Sequence, residues 1–179
     1  MKEPRIILLD GSVDEASAMR TVLKLLDFDK QDSKEEISLY INSPGGSILH
    51  GLAIYDTIKH ISAPVSTVCY GMAASMGAFL LSCGKKGRRF ALPHSRVLIH
   101  QPLIYVQNGF QSSQTELKRT AESLFKSREI LEEIMAENIG VSLEKIHADC
   151  ERDNWMSAEE ALEYGIIDGI LSGKGEVVG

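Results

Sequence analysis

Residues 36–70 read EISLYINSPGGSILHGLAIYDTIKHISAPVSTVCY, and their periodicity changes twice. The runs EISLYIN (36–42) and VSTVCY (65–70) have the short, β-branched and apolar character of strands. Between them Leu52, Ile54, Ile58 and Ile61 recur at helical spacing. A strand, a helix and a second strand in this order call for α/β architecture with parallel strands.

The same alternation extends to both sides. RIILLD (5–10) reads as an earlier strand, and SVDEASAMRTVLKLLDF (12–28) as a helix with Met19, Val22, Leu23 and Leu26 on one face. RRFAL (88–92) and RVLIH (96–100) read as later strands. The expected class is therefore α/β with a largely parallel sheet.

The second half changes character. Residues 113–138 carry Leu117, Ala121, Leu124, Ile130, Leu131, Ile134 and Met135 with charges between them, Ser113 and Glu116 spaced as a capping box, and Gly140 as a stop. A helix of about 25 residues is about 40 Å long. Either it projects and meets other subunits, or it packs back along its own domain. SAEEALEYG (157–165) predicts a shorter helix, with Ser157 and Glu160 as its capping box, and IIDGIL (166–171) a final strand. With no internal repeat or linker, residues 1–179 are expected to form one domain.

The 179 residues suffice for a core without metals or disulfides, and a hydrophobic fraction of 44% with 25% charged residues is that of a globular domain. A net charge of −6 argues against nucleic acid or anionic lipid as partner. Cys69, Cys83 and Cys150 form no CxxC pair, so neither a disulfide framework nor a zinc site is expected, and a reducing cytosol fits best. The first residues lack a signal-peptide core, and no run approaches the ~18 apolar residues of a membrane span. A cytoplasmic location follows as the expectation.

Candidate chemistry centres on CYGMAASMGAF (69–79), where Gly71, Ala73, Ala74 and Gly77 leave the surroundings of Ser75 almost bare. With VSTVCY ending at a glycine and MGAFLLSCG reading as a helix, Ser75 falls at a strand-to-helix turn, the logic of a nucleophile elbow without its GxSxG spelling. Serine is also a common helix N-cap, and both readings stand on this segment alone. INSPGGSILHG (41–51) places Pro44, Gly45 and Gly46 where a bare backbone can offer N–H donors to a ligand, or simply turn. His100 ends a strand before Gln101 and Pro102, as a base at a cleft or as a structural histidine. ADCERDNWMS (148–157) supplies Asp149, Glu151 and Asp153, in a loop that could equally be only solvated.

Jointly, LYINSPGGSI, GLAIYDTI, VSTVCYGMAASMGAFLLSCGKKGRRFALPHSRVLIHQP and ERDNWMSAEEALEYGIIDGIL resemble the ClpP family, the proteolytic subunits of Clp proteases, from about Arg5 to Leu171. The resemblance implies a ClpP/crotonase-like spiral of ββα units with a projecting handle helix: a head of about 1–100 and 141–179, and a handle of about 101–140. It implies Ser75 as nucleophile, His100 as general base and Asp153 as acid, chosen over Asp149 because it follows the arginine and precedes the aromatic residue. Backbone N–H groups of Gly46 and Met76 match the family's oxyanion hole. Ser47, Ile48, Pro102 and Leu103 match substrate-lining positions, and Glu151 and Arg152 match residues that register two rings.

The family's members form heptameric rings stacked as a tetradecamer, need no metal or cofactor, and take unfolded polypeptides from an AAA+ ATPase. Tyr40, Tyr70, Phe90, Leu92 and Leu171 match the ATPase-receiving pocket, or are ordinary packing. This chain departs from the pattern in places. It begins later than the family usually does, without the segment that lines the axial pore. It carries Ile104 and Tyr105 where a Gly-Gly pair is usual, and Ser38 and His60 where aromatic residues are commoner. These departures leave room for an alternative, a catalytically idle or regulatory subunit of a mixed ring.

Overall fold

The computed structural model describes residues 4–103, 114–173 and 177–178. In chain order the elements are β1 (Ile6–Asp10), α1 (Glu15–Gln31), β2 (Ile37–Ser43), α2 (Ile48–His60), β3 (Val65–Ala74), α3 (Met76–Ser82), β4 (Arg89–Ala91), β5 (Arg96–Ile99), α4 (Gln114–Ile139), α5 (Leu143–Asp149), β6 (Asn154–Met156), α6 (Ala158–Tyr164), β7 (Gly169–Leu171) and β8 (Val177–Val178). The α/β class expected from the alternation is the one observed. The proposed capping residue Ser113, and the departures at Ile104 and Tyr105, lie outside the described residues.

Strands β1, β2, β3, β4 and β7 pair in that order and run parallel, with β8 antiparallel at the edge. Alternate residues of β1 and β2 are buried, whereas the start of β3 is buried on both faces, as befits a central strand. The sequence reading stops β3 at Tyr70, but the strand runs on through Gly71 to Ala74. A bulge makes this possible: Ile41 pairs with Cys69 and Ser43 with Ala73, so residues 70–72 stand against Asn42 alone. Gly71 takes φ +84° there, and the Met72 N–H donates to Asn42 Oδ1 over 3.2 Å. Beyond the bulge β3 changes partner. Residues 67–69 pair with β4, and residues 72–74 with β5.

The helices cover the sheet. In α2, Ile54 and Ile58 are buried as the pattern requires. In α1 the buried residues are Ser17, Ala18, Thr21 and Leu25, while Met19, Leu23 and Leu26 are exposed. Of the stripe that announces this helix, Val22 packs against the core and the other three residues do not. Asp14 and Ser17 form the α1 capping box, and Ser157 and Glu160 form the expected one on α6, which Gly165 ends at φ +92°.

Helix α4 divides in two. From Gln114 to Ser127 none of its residues is buried, whereas Arg128, Glu132, Met135, Ala136 and Ile139 in its second half are. The packed reading describes the second half. A buried ion pair anchors the packed end: Arg89, 2% exposed, donates through Nε and Nη2 to Asp168 over 2.8 and 2.6 Å, and through Nη1 to the Asn138 carbonyl over 2.9 Å. Burial pushes the Asp168 carboxyl up, but the hydrogen bonds and charge of Arg89 outweigh it and hold the group below the usual carboxylate range.

Candidate active site

Three strand ends converge. Ala74 of β3 pairs with Leu98 of β5, and the Ser75 N–H donates to the Leu98 carbonyl over 2.9 Å, so the end of β3 lies beside the end of β5. Ile99 of β5 pairs antiparallel with Asn154 of β6. The next position on each strand is therefore His100 on one and Asp153 on the other. His100 Nδ1 lies 3.8 Å from Asp153 Oδ1, with the histidine side chain 12% and the aspartate 69% exposed.

Ser75 has φ +55° and ψ −119° and is the one non-glycine residue at positive φ among the described residues. Such a backbone costs on the order of 1–3 kcal/mol and persists only where its surroundings enforce it. It stands at the N-cap position of α3, yet its side chain makes no capping hydrogen bond. The N-cap reading is thereby corrected. The hydroxyl is therefore not spent on capping α3.

Gly45 explains how the turn is held. A Cβ on Gly45 would sit 2.7 Å from Ser75 Cβ and 2.8 Å from the Ala74 carbonyl oxygen, so only a bare backbone can approach so closely. On the other side the loop is laced to Val13, whose N–H donates to the Gly45 carbonyl and whose carbonyl accepts from the Ser47 N–H, both over 2.8 Å. A Cβ on Gly46 would strike that Val13 backbone. Met76 opens α3, so its N–H belongs to the first turn, which has no intrahelical acceptor.

A cavity of about 460 Å³ joins these parts. Gly46, Ser75, Met76, His100 and Asp153 all line it, as do Ile48, Pro102 and Leu103. Ser47 does not. Its hydroxyl accepts from the His50 N–H at the start of α2. Asp149 is engaged elsewhere: its Oδ2 accepts from Lys145 Nζ and from the Tyr164 hydroxyl, each over 2.8 Å. The hydrogen bond from Lys145 leads the causes that hold its carboxyl below the usual range, and burial opposes it.

Sequence reasoning missed the rest of this wall. Residues 143–149 form α5, capped by Ser142, and 154–156, within the segment read as a charged loop, form β6. Arg128 and Glu132 also line the cavity, paired at 2.6 Å. Their spacing held a signal: 128, 132, 135, 136 and 139 form one helical face, with two opposite charges on its otherwise apolar stripe. Of the two residues expected to register rings, Arg152 is exposed and Glu151 pairs within the chain, its Oε2 3.2 Å from Arg128 Nη2. Among the described residues no three His, Cys, Asp or Glu side chains are placed to hold a metal ion, and no helix is long and apolar enough to cross a membrane.

A strained serine on one cavity with a histidine that faces a carboxylate is the set of groups that serine hydrolases use. Comparison with known proteins narrows the class. The Clp protease family model matches residues 1–174, and the ATP-dependent Clp protease proteolytic subunit of Streptococcus pneumoniae (strain 70585) is 52% identical over 168 residues, 94% of this chain and 85% of that protein. The chain belongs to the Clp protease family and is a serine-type endopeptidase.

Proposed function

We propose that Ser75, His100 and Asp153 are the triad with which this chain cleaves unfolded polypeptides. The observation that carries this reading is the convergence of three strand ends on one cavity. Serine hydroxyl is too weak an acid to attack an amide unaided. In this reading His100 Nε2, the ring nitrogen away from Asp153, takes the Oγ proton as Oγ bonds to the carbonyl carbon. The oxyanion accepts from the Gly46 and Met76 N–H groups, each worth about 3 kcal/mol in the transition state. His100 returns the proton to the leaving amine, and water then releases the acyl chain by the reverse sequence.

The chain acts as one domain, with a head of about 1–100 and 141–179 and a handle of about 101–140. It assembles as heptameric rings stacked into a tetradecamer, located in the cytoplasm and fed by an AAA+ ATPase. Exposed Met19 and Leu23 on α1, and Leu117 and Phe125 on α4, support self-assembly, since stripes of this kind mark contact surfaces. For the ATPase, half-exposed Tyr40 and Tyr70, with ring centroids 6.1 Å apart, offer a receiving patch beside Phe90, Leu92 and Leu171. The relative's name, ATP-dependent Clp protease proteolytic subunit, agrees with this reading.

One distance favours the second reading, an idle subunit of a mixed ring: 3.8 Å between His100 and Asp153 exceeds a hydrogen bond. Intact mass after incubation with a fluorophosphonate separates the two. One adduct per chain, lost in Ser75→Ala and His100→Ala, supports the triad. Absence of an adduct in the assembled protein moves the idle subunit to the front.

A further inference from the structure

Arg128 and Glu132 lie one turn apart on α4 and are only 9% and 5% exposed. Charges so far from water persist when their hydrogen-bonding groups are matched, and here they are. Arg128 Nε donates to Glu132 Oε1 over 2.6 Å, Nη1 to Gln101 Oε1 over 2.9 Å, and Nη2 to Glu151 Oε2 and the His147 carbonyl over 3.2 and 3.3 Å. Glu132 Oε2 lies 2.8 Å from His147 Nδ1. One guanidinium thus touches α5, the segment after β5 and the segment before β6.

Gln101 completes the brace. It follows His100 directly, its N–H donates to the Cys150 carbonyl over 2.6 Å, and its Nε2 donates to the Glu151 carbonyl over 2.8 Å. Residues 150 and 151 lead immediately to Asp153. The aspartate itself is 69% exposed, so little packing of its own fixes its place opposite His100. The β5–β6 register puts it opposite His100, and behind it the hydrogen bonds of Gln101 and Arg128 engage the residues that lead to it.

We propose that Gln101 and Arg128 are positioning residues, which hold the His100 and Asp153 segments at a fixed separation and make that separation answer to the packed half of α4. This rests on the triad reading above. Neither residue delivers a group to the scissile bond. Their loss therefore acts on the chemical step, and a drift of about an ångström at a reacting geometry costs on the order of 10²-fold in rate.

The test is steady-state peptide hydrolysis by the assembled protein carrying Gln101→Leu, Arg128→Lys or both, beside Ser75→Ala. Gln101→Leu is expected to lower kcat at least tenfold with KM within twofold, and to slow fluorophosphonate labelling in parallel. The double variant should lose no more than the worse single one, because both act through one brace. Should Gln101→Leu fail to assemble, Arg128→Lys reads the same split. A kcat within twofold of the parent, a loss confined to KM, or multiplicative losses in the double variant would overturn the proposal. A Ser75→Ala variant that retains activity would instead overturn the triad reading on which it rests.

Discussion

His100 and Asp153 face each other across the antiparallel pair of β5 and β6, 3.8 Å apart from Nδ1 to Oδ1, one position beyond the last hydrogen-bonded residues of each strand. The register sets this opposition, so it exists before any substrate arrives. Catalytic hydrogen bonds often tighten only in the substrate complex.

Asp153→Asn is expected to lower kcat by about 10³–10⁴-fold, the scale seen when a triad aspartate loses its charge. Asp149→Asn should stay within about tenfold of the parent, because that carboxylate binds Lys145 and Tyr164 away from the cavity. Rates of peptide cleavage by the two variants decide between the acids. A larger loss in Asp149→Asn would reverse the assignment.

Gly45→Ala places a methyl group 2.7 Å from Ser75 Cβ at a residue with φ +94°. The turn must open, and fluorophosphonate labelling of Ser75 should fall at least tenfold while far-ultraviolet circular dichroism stays that of the parent. Labelling at the parental rate would show that the approach of Gly45 to the turn is not needed.

The three thiols should be inert in the native protein. Burial pushes Cys69 up to about 11 and Cys83 and Cys150 up to about 12, so almost no thiolate exists at neutral pH. Iodoacetamide at pH 7.5 is expected to leave mass and activity unchanged for as long as the fold holds. Fast modification of Cys150, which lines the cavity, would contradict this.

Asp168→Asn removes one partner of the buried pair with Arg89 and should cost about 3–5 kcal/mol at pH 7, measured by urea unfolding. The Asp168 carboxyl is held below its ordinary value, so its contribution is complete above about pH 5, where the unfolded group is ionised, and is lost as pH falls through the lower folded value. The gap between parent and variant should therefore narrow in acid. A gap that is constant down to pH 3 would assign the effect to packing alone.

Much of this was legible before any coordinates. Strands 36–42 and 65–70, the α2 periodicity and the Ser157 capping box each follow from local rules that the fold obeys. Local rules failed where a distant segment decided the outcome. Tyr70 to Ala74 carry turn-like small residues, yet they extend because Asn42 bridges the bulge and β5 supplies a new edge. Segment 154–156 is too short to declare itself a strand and becomes one only against β5. Exposed Met19, Leu23 and Leu26 pattern α1 like a core face, since periodicity reports a helix's apolar side but not whose surface will cover it. In the candidate site, residue types and spacing suggested the serine, the histidine and a choice of acids, while the Arg128 brace depends on contacts between segments 19 to 27 residues apart.

The change of partner along β3 bears on how the site breathes. Its first half is locked between β2 and β4, its second half between β2 and β5, and the Ser75 turn hangs from its last residue. No small excursion can release that turn, because freeing Ser75 means unzipping the central strand of the sheet. Amide exchange at Ser75 should accordingly proceed only through global opening, as slowly as at Val68, whereas amides of the exposed half of α4 exchange through local fraying. Any adaptation to different substrates must then come from the α4 wall and the segment bearing Pro102 and Leu103, with the serine as the fixed point of the machine.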